Sequence, residues 1–300
     1  MKHSLAIFGE ILFDHFPDGT QKLGGAPFNI AWHLQAFHIL PLLISGLGDD
    51  APAYKIQAMM SHWGLETTGI QIHPQYPTGK VQVLLEQGEP QFNILPEQAY
   101  DFIDARQLPD IAHCKILYHG SLALRHCVAR QAFKKLLDYQ KPLFIDVNLR
   151  SPWWGKREVL HYLQQARWAK LNEEELHLLS PITLSHDLAQ KAIALYQLCH
   201  LDWLVVTLGK NGALAIGHDK RIYWVKPSKN ITVVDTVGAG DGFCALLLLG
   251  LLNDWPLAKT LKYAQQFAQK IVQIHGGICE DKSFYTQFYQ QILLGNRDFV

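Results

Sequence analysis

The segment VVDTVGAGDGFCALLLLGLL, residues 233–252, places an acid, small residues and a greasy helix in a chemically useful order. An apolar stretch ends at Asp235, a glycine-rich turn follows, and an apolar helix begins. Gly238, Ala239 and Gly240 carry little or no side chain, so their N–H groups can approach an anion at the positive end of that helix. Asp241 falls in the first turn, beside wherever such an anion binds. A cradle for transferring oxygens, next to a carboxylate that can accept a hydroxyl proton, suits phosphoryl transfer. Taken alone, the same residues also describe a plain glycine turn whose Asp241 complements the helix dipole.

A second cluster, LGGAPFNIAWHL, spans residues 23–34. Gly24 and Gly25 permit a close backbone approach, and Asn29, in the first turns of the next helix, offers both a donor and an acceptor. That combination suits a polyhydroxylated ligand, although a glycine turn with a half-exposed Asn is common. Upstream, GEILFD puts Asp14 just after the first expected strand, at the end of an α/β sheet where ligands usually bind. Asp146, Asn148 and Arg150 of DVNLRSPWW fall at a comparable strand end. Arg150 suits a phosphate or sugar contact about as well as a structural salt bridge.

Other chemistries lack their residues. There is no GxxxxGK[ST] loop, no HRD or DFG pairing, and no GxGxxG after a strand. The 15 histidines include no pair three or four apart, so they sketch no helix-borne zinc site. Lys+Arg and Asp+Glu are 27 each, which argues against a partner held mainly by nucleic-acid phosphates or an anionic membrane. The greasiest run, Phe243–Leu252, is about half a membrane span and reads as a buried helix. Five scattered cysteines without a CxxC fit a reduced, cytoplasmic chain.

These groups need a scaffold, and the apolar pattern supplies one. Expected strands are Leu5–Gly9, Pro41–Ser45, Ile116–His119, Pro142–Val147, Trp168–Leu171 and Trp203–Thr207. Expected helices are Pro27–Phe37, Ala51–Trp63, Val128–Tyr139, Lys156–Gln165, His186–Cys199, Ala239–Leu252 and Leu257–Ile274. Such alternation predicts an α/β fold with a mostly parallel central sheet covered on both faces. Two stretches break it: Gly79–Leu95, a hairpin with a Gly-Glu-Pro turn, and Ala213–Val225, turning near Gly217–Lys220. At 300 residues without linker or repeat, one continuous domain is expected, with excursions at about 11–23 and 77–97.

Taken in order, LGGAPFN, NEEE, TLGKNG and DTVGAGDGF resemble the ribokinase-like (PfkB) family of carbohydrate kinases, from about Gly9 to Gly277. GEILFDHFPDG, GGAPFNIAWHL and DVNLRSPWW are most similar to its fructokinase branch. The resemblance implies a three-layer α/β/α fold with a small β-sheet lid, and ATP-dependent phosphorylation of D-fructose on its 6-hydroxyl. Ribose, 2-keto-3-deoxygluconate and a nucleoside such as adenosine are the alternative substrates, and a non-catalytic sugar sensor is the alternative class. Asp241 would be the catalytic base, and Gly238, Ala239 and Gly240 the anion hole. Asp14, Gly24, Gly25, Asn29 and Arg150 would bind sugar. Asn172, Thr207, Gly209, Lys210 and Gly212 would border ATP. Glu175 would organise Mg²⁺ through water, though NEEE is also an ordinary acidic helix start. Asp235 and the Val237 carbonyl, with the bend at His275–Gly277, match a monovalent-cation site, potassium in many relatives. Small-molecule sugar and ATP are the expected partners, with no nucleic acid or membrane, and a homodimer is compatible with the family.

Overall fold

In the computed structural model, residues 3–86, 89–228 and 231–295 are described. The chain opens with β1 (Leu5–Phe8), β2 (Leu12–His15), β3 (Gln21–Gly24) and α1 (Ala26–Ala36). It continues through β4 (Pro41–Gly48), α2 (Ala51–Trp63), β5 (Ile70–His73), β6 (Gly79–Glu86) and β7 (Glu89–Ile94). The middle third holds β8 (Ile116–Gly120), α3 (Cys127–Leu137), β9 (Leu143–Asp146), α4 (Lys156–Gln165), β10 (Trp168–Asn172) and α5 (Glu173–Leu179). Then come α6 (Leu188–Cys199), β11 (Trp203–Thr207), β12 (Ala213–Ile216), β13 (Ile222–Val225), α7 (Ala239–Leu252), α8 (Leu257–Ile271) and α9 (Lys282–Gly295).

The large sheet runs β13-β12-β11-β10-β9-β8-β1-β4-β5. From β11 to β5 every pairing is parallel; β12 and β13 add an antiparallel margin. Successive side chains of a strand point to opposite faces, and β1 shows it. Leu5 and Ile7 pack with α1, α2, α7, α8 and α9, whereas Ala6 and Phe8 pack with α3, α4, α5 and α6. Both faces are covered, as an apolar, nearly all-parallel sheet requires. The helix α7 is apolar all round and buried from Gly242 to Gly250, lying between the sheet, α1 and α8.

The two expected excursions meet. The strands β3, β2, β6 and β7 form a second sheet in that order, with β2 parallel to β6. Asp14 follows the first strand as expected and sits inside β2, opposite Lys22 of β3. The strands β2, β3 and β5 (LFDH, QKLG and IQIH) lack the continuous apolar run by which β1 and β9 are read, which hid them. Glu89 and Pro90 of the expected Gly-Glu-Pro turn pair with Glu86 and Leu85 in the β6–β7 ladder, and residue 88 lies outside the described residues. Other boundaries move by a few residues: β4 extends to Gly48, α3 ends at Leu137, and α8 stops at Ile271 rather than Ile274.

Candidate active site

The turn before α7 is built by contact with two other segments. Gly238 caps the helix at φ +77°, a left-handed conformation that favours glycine. A Cβ there would fall 2.2 Å from the Gly277 Cα, so the bend at 275–277 lies directly against it. A Cβ at Gly277 would in turn meet Asn29 Nδ2 at 2.7 Å. With no side chain between them, α1 and α7 approach closely enough for Asn29 Nδ2 to donate to Asp241 Oδ2 at 2.7 Å. Asn29 is buried and its Oδ1 has no partner among the described residues. Burial pushes the half-buried Asp241 carboxyl above its ordinary range, and the Asn29 amide opposes that shift. The carboxylate is thus oriented by one donor and made more basic by its surroundings.

Helix geometry decides which amides remain available. The Gly242 N–H closes the first turn on the Gly238 carbonyl at 2.8 Å, and Ala239 turns its N–H back to the Thr236 carbonyl at 3.3 Å. Gly240 and Asp241 occupy first-turn positions, for which the helix supplies no acceptor. Of the expected cradle of Gly238, Ala239 and Gly240, only the Ala239 N–H has a backbone partner among the described residues.

Lys170, which no motif singled out, lies behind this turn. A Cβ at Gly240 would sit 3.4 Å from Lys170 Nζ. Lys170 is buried on β10 and donates to both oxygens of Asp146 on β9, at 2.9 and 3.0 Å. Burial alone would lower the ammonium, but the charges of Asp146 and Glu175 outweigh it and hold Lys170 protonated. Asp146, expected as a ligand-side residue, is instead the buried counter-ion of this lysine. The sequence hint was a lone lysine in the strand WAKLN, where burial demands a partner.

Acids gather on the side where sugar is expected. Asp14 is pushed up to about 6 by burial, with Arg150 and Lys22 opposing and Asp241 adding to the shift. Glu10, just past β1, was not singled out; burial takes it to about 7 against the pull of Arg150 and Arg125. Its Oε2 is buried and unpartnered among the described residues. Arg150 is exposed and makes no ion pair among the described residues, so the salt-bridge alternative is not realised, while Glu10, Asp14 and Asp241 all feel its charge. Gly24 lies by Asp14, with a Cβ position 3.5 Å from Oδ2, and Gly25 (φ +100°) packs against the Glu10 carbonyl.

The expected nucleotide side is assembled from the ends of β10 and β11. Asn172 Oδ1 accepts from the Glu175 N–H, and Glu175 Oε2 accepts from the Asn172 N–H, a reciprocal cap of α5. Glu175 Oε1 accepts from Leu149 N at 2.7 Å, fixing the loop that carries Arg150. Thr207 ends β11, and Gly209–Asn211 form a 3₁₀ turn, with Lys210 exposed and Gly212 at φ +97° against the Val225 carbonyl. Asp235 lies at the rim, its carboxylate engaged by the N–H groups of Val237 and Gly276 and by Lys22. No group of three or more His, Cys, Asp or Glu converges on a metal position among the described residues.

The chain as a whole has counterparts among known proteins. The profile of the pfkB family carbohydrate kinases matches residues 7–282. The chain belongs to this family. The fructokinase of Salmonella typhimurium is 28% identical over 286 residues, covering 88% of this chain and 92% of its own. A fructokinase from Xylella fastidiosa, solved with bound ATP, superposes with a TM-score of 0.85 over 97% of this chain and 99% of its own at 21% identity. A Vibrio cholerae fructokinase double mutant, solved with fructose, ADP and potassium, gives 0.80 over 95% and 97% at 23% identity. These likenesses bear out the ribokinase-like three-layer fold with its second, smaller sheet, and make the protein a pfkB carbohydrate kinase.

Proposed function

We propose that this kinase transfers the γ-phosphoryl group of ATP to the 6-hydroxyl of D-fructose. The observation that carries the reading is Asp241. It is a carboxylate of raised basicity, held by Asn29 at 2.7 Å and set in the first turn of a helix whose amides can hydrogen-bond the oxygens of a transferring phosphoryl group. In this reading Asp241 accepts the proton of the attacking hydroxyl. The first-turn amides and the Lys170 charge behind them steady the transferring oxygens, where fixed donors contribute most. The sugar sits between Asp14, Asn29 and Arg150; the free Oδ1 of Asn29 is a ready acceptor for one of its hydroxyls. The small sheet acts as the lid, excluding the water that would otherwise compete as acceptor.

ATP lies along the C-terminal ends of β10 and β11, beside Asn172, Thr207, Gly209, Lys210 and Gly212. Mg²⁺ fits here as a companion of the ATP phosphates, because it usually takes one or two carboxylates and several waters rather than a protein cage. Glu175, whose oxygens already accept two backbone N–H bonds, would reach it through water. When bound, the ion neutralises charge on the phosphates. No described helix is long and apolar enough to cross a membrane, and the five cysteines are free, consistent with a cytoplasmic enzyme. The names of the Salmonella and Vibrio relatives favour fructose over ribose, 2-keto-3-deoxygluconate or a nucleoside.

A sensor that merely binds sugar has no need of a base, and even a half-buried carboxylate is costly to keep. The deciding experiment is ADP release measured over a panel of sugars and nucleosides, with ³¹P NMR to place the product phosphate. Fructose 6-phosphate is expected. Turnover of another member of the panel would reassign the substrate, and ATP binding without turnover would favour the sensor.

A further inference from the structure

Lys22 stands between the two halves of the site. It lies on β3 directly opposite Asp14 of β2, and its Nζ is 3.3 Å from Asp235 Oδ2. Its stem passes over Gly276, where a Cβ would meet Lys22 Cδ at 3.8 Å, and its ammonium is 5.3 Å from the centroid of the Phe16 ring. Asp235 Oδ1 accepts from Val237 N at 3.0 Å, and Oδ2 also accepts from Gly276 N at 3.0 Å. Three donors, one carrying a full charge, already meet this carboxylate.

That donor set does not fit a resident monovalent cation. Such an ion at Asp235 would find Oδ2 already taken by two donors and only one lone pair left on Oδ1, and it would face an ammonium at close range. We infer that the Lys22 ammonium takes the place of the monovalent cation beside Asp235, so that the turn before α7 is held by the protein's own charge. The inference rests on the kinase reading for its catalytic consequence, but not for its structural one. Asp235 precedes the phosphoryl-receiving turn, and an unbalanced carboxylate there would repel the incoming phosphates. Lys22 removes that repulsion. Because it belongs to the small sheet and faces Asp14, one side chain serves both the sugar side and the phosphate side. Lys22 is a positioning residue in this account: it acts through Asp235 on the turn.

The test compares the wild-type protein and Lys22→Met in potassium and in tetramethylammonium at matched ionic strength, by steady-state rate and by melting temperature. Wild type is expected to have equal kcat in both salts and no melting shift specific to potassium. Lys22→Met is expected to lose on the order of 10- to 100-fold in kcat in tetramethylammonium, as a displaced catalytic turn would. Potassium should restore most of that and raise its melting temperature by about 2–4 °C. Potassium activation of wild type would overturn the inference. So would a Lys22→Met variant equally active and equally stable in both salts, since neither cation would then hold the turn. If Lys22→Met does not fold, the wild-type comparison alone decides. Should no sugar or nucleoside be turned over, the kinase reading fails, while the melting measurements still decide for or against Lys22.

Discussion

Two lysine–aspartate pairs flank the turn before α7, one behind it and one at its rim. Lys170 and Asp146 join adjacent strands at the middle of the large sheet, with side chains 9% and 1% exposed. Lys22 and Asp235 join the small sheet to the loop before α7, at 34% and 18% exposure and a longer 3.3 Å. Charge and residue types are the same; solvent is not. Behind the turn, each charge depends on the other because water cannot replace it. At the rim water screens the pair, so its contribution to stability is small and its value lies in where it puts charge. Burial thus divides the labour: the inner pair holds the scaffold, and the outer one sets a loop that the small sheet can engage.

The largest effect should come from breaking the inner pair. Lys170→Met leaves the Asp146 carboxylate buried and alone, and unfolding in urea should show a loss of about 3–5 kcal/mol. The double variant Lys170→Met/Asp146→Leu should recover most of it, because an apolar pair of similar volume tolerates burial. A single variant losing under about 1 kcal/mol would make the inner pair no different from the outer one.

Glu10 sharpens the comparison with an unpaired buried acid. Its carboxyl rises from 4.5 to about 7, faced by Arg150, Arg125 and Asp241. A raised acid favours the folded state when protonated. That contribution is present below about pH 4.5 and lost as pH rises through about 7, a difference on the order of 3 kcal/mol. Stability should therefore fall across this window in wild type and fall less in Glu10→Gln. Parallel pH profiles of unfolding free energy for the two proteins would refute the assignment.

The smallest effect belongs to the rim. Lys22→Met should change unfolding free energy by only about 0.2–1 kcal/mol at moderate salt, far less than Lys170→Met under the same conditions. Equal losses would erase the distinction drawn from exposure.

Sequence revealed this site unevenly, for physical reasons. Asp241 and its glycines were legible because their chemistry is local: an apolar strand-like stretch, a turn and a buried helix follow one another within twenty residues. The Asn29–Asp241 bond joins residues 212 apart and depends on Gly238 and Gly277 allowing α1 to meet α7, which no local pattern states. The bond from the Ala239 N–H to the Thr236 carbonyl is likewise a product of the turn's geometry that no residue type announces. Lys22 gave no signal, since an isolated lysine in a four-residue strand looks solvated. Most of the large sheet was readable from its continuous apolar runs; of α5 only the acidic start was, because seven residues give barely two turns of periodicity.

The central claim, that Asp241 is the base, is tested most directly by Asp241→Asn. Asn keeps the shape and can still meet Asn29, and it removes a carboxylate that burial disfavours, so the melting temperature should hold or rise. It cannot take the hydroxyl proton, so kcat should fall by about 10²–10⁴-fold with ATP affinity largely kept. A folded Asp241→Asn protein retaining more than about a tenth of wild-type kcat would contradict the account and leave Asp241 a helix-capping acid.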